Sequence, residues 1–174
     1  IPMFKALRER YPDALLVISN VTETGREMAH SINEADFCIF FPFDLSWVVR
    51  KAISTVKPKI IVLVETEIWP NFVREAHRQE IPIVLVNGRI SDRSFPRYRM
   101  AGKLLANILE SLSSFCMQTD QDARRIQLLG ALPGRVRTSG NLQFDMDLTQ
   151  SESLSTTDLR HEYRLPSDCL VWVA

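Results

Sequence analysis

Short apolar, β-branched runs alternate along this chain with longer stretches in which apolar residues recur every three or four positions. Six runs read as strands: Leu15 to Ser19, Phe37 to Phe41, Lys59 to Glu65, Pro82 to Asn87, Phe115 to Gln118 and Arg135 to Thr138. The spacing predicts helices over Pro2 to Arg10, Gly25 to Ile32, Leu45 to Val56, Trp69 to Gln79, Phe95 to Leu112 and Asp120 to Leu129. A strand turns successive side chains to opposite faces, whereas a helix needs one apolar stripe at a period near 3.6, so the two patterns separate cleanly. Their regular alternation marks βαβ units, and the predicted class is α/β with a Rossmann-like, open, doubly wound parallel sheet. Asp44 is placed to cap the third helix, Pro70 sits in the first turn of the fourth, and Gly130 follows the sixth as a left-handed stop.

Beyond Asn141 the pattern loosens. Residues 1–145 read as one Rossmann-like domain, 146–168 as a linker carrying the Ser/Thr-rich stretch Thr149 to Thr157, and 169–174 as the first strand of a further α/β domain. The opening Ile1-Pro2-Met3 and the closing Leu170-Val171-Trp172-Val173-Ala174 both read as cut, so a longer protein is expected.

Composition narrows the class. In 174 residues, 45% hydrophobic and 24% charged, there is enough apolar material for one compact core. Lys plus Arg and Asp plus Glu both number 21, so the bulk charge gives no reason to expect nucleic acid and only local clusters matter. Cys38, Cys116 and Cys169 are odd in number and set in apolar runs, which fits small buried hydrophobes in a reducing compartment rather than a disulfide framework. His30, His77 and His161 fall on separate predicted helices without metal-ligand spacing, so no metal is expected. No apolar run reaches the length of about 18 residues that a membrane helix requires, and no signal-peptide pattern is present.

In an open α/β sheet, chemistry gathers where loops leave the carboxyl ends of the strands. Three such segments stand out. Val64-Glu65-Thr66-Glu67-Ile68-Trp69-Pro70-Asn71 ends an apolar strand in two carboxylates at a helix start. Carboxylates there sit near a positive dipole end, either as site groups or with Thr66 or Glu67 simply capping the helix. The stretch from Asn87 to Lys103 holds Arg89, Arg93, Arg97, Arg99 and Lys103 against Asp92 alone. Such a cluster is either a receiver for phosphate or carboxylate or a solvated helix face. Gly140-Asn141-Leu142-Gln143-Phe144-Asp145 closes the last strand, and turn chemistry alone would account for its Gly-Asn pair. No G-x-G-x-x-G, Walker or Gly-x-Ser-x-Gly pattern occurs.

Together these segments resemble the N-terminal domain of the 3-deoxy-D-manno-octulosonic acid (Kdo) transferases. The carrying residues are Leu7-Arg8-Glu9-Arg10-Tyr11-Pro12-Asp13, Thr22-Glu23-Thr24-Gly25, Phe41-Pro42-Phe43-Asp44, Glu65-Thr66-Glu67-Ile68-Trp69-Pro70-Asn71, Asn87-Gly88-Arg89-Ile90-Ser91-Asp92-Arg93-Ser94 and Gly140 to Asp145, in family order over nearly the whole chain. The resemblance implies the N-terminal, acceptor-side half of a GT-B type inverting glycosyltransferase (EC 2.4.99 class). The full enzyme would transfer Kdo from CMP-Kdo to the lipid A precursor, lipid IVA, in lipopolysaccharide biosynthesis. It implies no cofactor, with CMP-Kdo bound mainly by the C-terminal half. It further implies a membrane anchor ahead of this segment, work at the cytoplasmic face of the bacterial inner membrane, and no nucleic-acid partner.

At the site, the resemblance implies that the general base is a glutamate in a Gly-Glu segment upstream of Ile1. Glu65 would support the transition state, and Glu67, Arg89, Arg93 and Arg97 would receive the acceptor. Gln143 stands where the family usually has lysine, so it can donate a hydrogen bond but supplies no positive charge. Gly88 replaces a residue with a small side chain. Without the base and the donor half, these 174 residues alone are expected to be inactive. Two other readings share the fold class: another GT-B sugar-nucleotide enzyme, such as an epimerase or lipid glycosyltransferase, and a non-catalytic α/β binding module.

Overall fold

The computed structural model describes residues 2–30 and 32–142. Gln143, His161, Cys169, the expected linker and the run from 169 onward lie outside the described residues. In chain order the elements are α1 (Pro2–Arg10), β1 (Val17–Asn20), α2 (Glu23–His30), β2 (Phe37–Phe40), α3 (Ser46–Val56), β3 (Ile61–Val64), α4 (Pro70–Arg78), β4 (Ile83–Gly88), α5 (Phe95–Met100), α6 (Gly102–Glu110), β5 (Ser114–Met117), α7 (Asp120–Leu128) and β6 (Val136–Thr138). Every pairing among the described strands is parallel.

The expected α/β alternation is therefore realised, with one departure: the strands form two ladders. β1 pairs with β2, while β3, β4, β5 and β6 pair in that order. Periodicity within a strand says which face is apolar but not which strand lies alongside, so the sequence pattern could not separate the two sets.

The larger sheet carries the core. Ile83 and Leu85 of β4, Phe115 and Met117 of β5, and Leu109 of α6 are wholly buried. Val49 of α3, Val73 of α4 and Ile126 of α7 belong to the same cluster. β3 alternates, burying Ile61 and Leu63 while Val62 and Val64 stay exposed.

The long helix expected from Phe95 to Leu112 is broken into α5 and α6. Gly102, at φ +48°, leaves helical geometry, and α6 restarts from it. Gly130 does end α7's segment as expected, and for a second reason. Besides its φ of +119°, a Cβ there would lie 2.6 Å from the Cβ of Ala106.

Asp44 caps a different helix from the one expected. The first residue of α3 is Ser46, preceded by Leu45, so Asp44 falls one position too early to serve it. Its carboxylate instead accepts from the backbone amides of Asn71 (3.1 Å) and Phe72 (2.8 Å), in the first turn of α4. Trp69, which precedes α4, offers no oxygen for that purpose, and neither Thr66 nor Glu67 caps the helix. Asn71 returns the contact by donating from Nδ2 to the Asp44 carbonyl at 2.7 Å. Phe41 packs on Trp69 and Phe72 with ring centroids 5.4 and 4.9 Å apart, so the end of β2 is fastened to α4 by aromatic contact as well. Deeper on the same interface, the buried Glu75 of α4 accepts from Arg50 of α3 at 2.9 Å. That hydrogen bond, opposed by burial, holds the Glu75 carboxyl below its ordinary range.

Arg8 of α1 gathers the other end of the molecule. It donates to the carbonyls of Pro12, Ala14 and Glu34 and to Asp36 Oδ2 at 2.7 Å. Asp36 also accepts from the Leu16 amide at 2.7 Å. The Leu16 amide first, and the Arg8 guanidinium next, hold the Asp36 carboxyl below its ordinary 3.8.

Two predictions follow from these contacts. Asp44→Ala leaves two first-turn amides without their carboxylate and should lower unfolding free energy by about 1–2 kcal/mol in urea titrations. A depressed folded pKa stabilises above the unfolded value and loses that contribution as pH falls through the folded one. Stability should thus fall on acidification below 3.8, and the fall should be shallower in Asp36→Asn when unfolding is followed across that range.

Candidate functional site

Because the strands are parallel, their carboxyl ends open on one side, and a cleft of about 500 Å³ lies there. Each strand of the larger sheet contributes to it. Glu65, Thr66 and Glu67 follow β3; Arg89, Ser91 and Ser94 follow β4; Gln118 follows β5; and Asn141 follows β6.

Backbone geometry at the strand ends turns these residues inward. Glu65 adopts a left-handed conformation, φ +59°, immediately after β3. A side chain with a Cβ crowds its own carbonyl there, at a cost of about 1–2 kcal/mol, so a glutamate at this point is not explained by backbone preference. The buried Asn87 near the end of β4 is also left-handed, φ +54°, which asparagine tolerates better. Its Oδ1 accepts from the Leu142 amide at 3.1 Å and its carbonyl from Gln118 Nε2 at 3.2 Å. Asn87 thus ties the Gly140 to Leu142 turn and the end of β5 to the end of β4.

Gly88 has a steric reason specific to this chain. A Cβ there would lie 2.6 Å from Met117 Sδ and 2.9 Å from its Cε. The buried thioether occupies the volume that a small side chain at 88 would need.

Of the residues singled out from the sequence, Glu65, Glu67 and Arg89 come together on the cleft wall. Arg93 and Arg97 are exposed and outside its lining, and Gln143 lies outside the described residues. Ser91, Ser94, Gln118 and Asn141 join the wall without having been assigned a role, although each follows a strand and the strand-end rule points to them. Two carboxylates, one guanidinium and several hydroxyl and amide groups lining one cleft suit a polyhydroxylated ligand that carries an anionic group. Among the described residues no group of three or more His, Cys, Asp or Glu is placed to hold a metal ion, and no helix is long and apolar enough to cross a membrane.

Solved structures with this architecture include the UDP-N-acetylglucosamine 2-epimerase from Rickettsia bellii (TM-score 0.62, 15% identity, 94% of this chain and 47% of that one). A putative enzyme of the same name from Listeria monocytogenes aligns with TM-score 0.59 and 14% identity over 89% of this chain and 44% of that one. At such identities the likeness is one of fold, that of a Rossmann-like half of a GT-B type protein.

Sequence relatives lead elsewhere. The bifunctional glycosyltransferase/methyltransferase of Fusobacterium nucleatum subsp. nucleatum is 38% identical over 83% of this chain and 23% of its own length. The 3-deoxy-D-manno-octulosonic acid transferase of Haemophilus influenzae is 29% identical over 99% of this chain and 40% of its own length. That of Bordetella pertussis is 29% identical over 87% and 36% respectively. The chain therefore spans less than half the length of these relatives. The sequence model of the 3-deoxy-D-manno-octulosonic-acid transferase (kdotransferase) family matches residues 1–146, and with the Glu65-Thr66-Glu67 and Arg89 segments meeting on one cleft, this chain belongs to that family.

Proposed function

We propose that this chain is the acceptor-side half of an inverting glycosyltransferase that moves Kdo from CMP-Kdo to the phosphorylated lipid A precursor. The observation that carries the reading is the meeting of Glu65, Glu67 and Arg89 at the strand ends of a Kdo transferase family domain. In the transfer, an acceptor hydroxyl attacks the anomeric carbon of Kdo from the side opposite CMP. The new C–O bond forms as the bond to the phosphate oxygen breaks, CMP leaves with the electron pair, and a base takes the hydroxyl proton.

Positive charge builds on the anomeric centre as CMP departs, and a carboxylate fixed on the cleft wall favours it without reorganising. Glu65 takes that part, and its strained backbone fits a group held in place for chemistry rather than for folding. Arg89 receives an anionic group of the acceptor, with Glu67 hydrogen-bonding its sugar hydroxyls. Arg93 and Arg97 act at longer range, by attraction rather than contact. The donor sugar nucleotide is held by a C-terminal half beyond this segment, and the protein works at the cytoplasmic face of the inner membrane.

The decisive assay is Kdo transfer by the full-length protein with a lipid A precursor. Glu65→Gln should lower kcat by roughly 100-fold while the fold is retained. A wild type that is well folded and transfers no Kdo, or a Glu65→Gln variant with unchanged kcat, overturns the reading. Glu65→Gly relieves the left-handed strain, so its unfolding free energy should be unchanged or higher by up to about 1 kcal/mol even as transfer is lost. Thermal unfolding beside the transfer assay separates the two effects.

A further inference from the structure

Beyond the end of β4 the chain loses its ladder partners, yet the backbone of the next two residues is fully held by side chains from the β3–α4 loop and from α7. Thr66 Oγ1 accepts from the Arg89 amide at 3.1 Å and donates to the Arg89 carbonyl. Asp122 Oδ1 accepts from the Ile90 amide at 2.7 Å, and Arg125 Nη1 donates to the Ile90 carbonyl at 2.6 Å. The peptide plane between Arg89 and Ile90 is therefore gripped at both ends, its oxygen by Thr66 and its N–H by Asp122. The plane before Arg89 is gripped at its N–H. The two soft dihedrals of Arg89 lie between those planes, so both are fixed.

The hold is built to last. Asp122 is 6% exposed, and Ile90 is wholly buried beneath the clamp. Thr119 caps α7 by accepting from the Asp122 amide. The carboxylate at this third position of a helix commonly folds back to the capping residue's own amide, and here one oxygen is turned outward to Ile90 instead. Arg125 also pairs with Asp92 and lies 5.6 Å from the centroid of the Phe95 ring, so its fork is set before any ligand arrives.

We propose that Thr66, Asp122 and Arg125 are positioning residues whose shared task is to aim Arg89 at the anionic group of the ligand in the cleft. A free arginine side chain surrenders much rotamer freedom when it binds, and fixing its Cα–Cβ direction beforehand removes part of that cost. The inference rests on the cleft being the acceptor site but not on which sugar is transferred, and it assigns to a loop threonine and a pair of α7 side chains a role in affinity rather than in chemistry.

The experiment is a double-mutant cycle on the full-length protein, read as binding of glucosamine 1-phosphate by calorimetry, which needs no turnover. Arg89→Ala should weaken binding about tenfold and Thr66→Val about fivefold, while Thr66→Ser, which keeps the hydroxyl, stays within about twofold of wild type. In the Arg89→Ala background Thr66→Val should have no further effect, because there is nothing left to aim. Asp122→Ala should couple to Arg89 in the same way, and if it impairs folding the Thr66 arm stands by itself. Thr66→Val that leaves affinity unchanged, or that weakens it equally with and without Arg89, overturns the proposal. Amide exchange at residue 89 should accelerate in Thr66→Val and not in Thr66→Ser. A wild type that binds the sugar phosphate with this coupling yet transfers no Kdo would remove the proposed reaction and leave the clamp standing.

Discussion

One row of side chains sets the geometry of the larger sheet. Leu63, Leu85, Phe115 and Val136 lie opposite one another across β3, β4, β5 and β6. The first three are buried, at about 2 kcal/mol each, and a slip of one residue in any strand would turn its member of the row to the opposite face. Register is therefore enforced by the core. Register in turn decides where each strand stops, and hence that Glu65, Arg89, Gln118 and Asn141 emerge at one level around a common cleft.

Above that row, polar groups do the locating. Asp44 reaches α4 from the segment ahead of α3, Asn87 fastens the turn after β6, and Thr66 with Asp122 and Arg125 secures the chain after β4. Each satisfies backbone groups that a strand or helix end leaves without a partner, where an unpaired buried group costs about 1–3 kcal/mol. The strand ends are therefore held by the same bonds that shape the cleft, and stability and site geometry share residues.

Much of this was legible in the sequence. Among the described residues every strand and helix lies within two residues of its predicted place except the helix from Phe95, where a single glycine at 102 allowed a break that the apolar period ran through. The two carboxylates of the Glu-Thr-Glu segment and Arg89 were legible because a strand's carboxyl end is a fixed topological address. What was not legible depended on partners far along the chain. Asp122 and Arg125 bond Ile90 across 32 and 35 residues, and nothing local distinguishes them from an ordinary acidic first turn and basic last turn of a helix. The same holds for Asp44, whose true helix starts 26 residues further on than itself by way of β3, and for the separation of β1 and β2 from the larger sheet.

The fit of Gly88 against Met117 reaches past this one chain. The two residues are opposite each other in neighbouring strands, and the sulfur of one fills the space that the other leaves vacant. A lineage can add a side chain at 88 only after shrinking or redirecting the one at 117, and a lineage that shortens 117 without compensation opens a void one residue before Arg89. The two positions are thus sterically coupled, and a change at either is felt in the backbone one residue before Arg89.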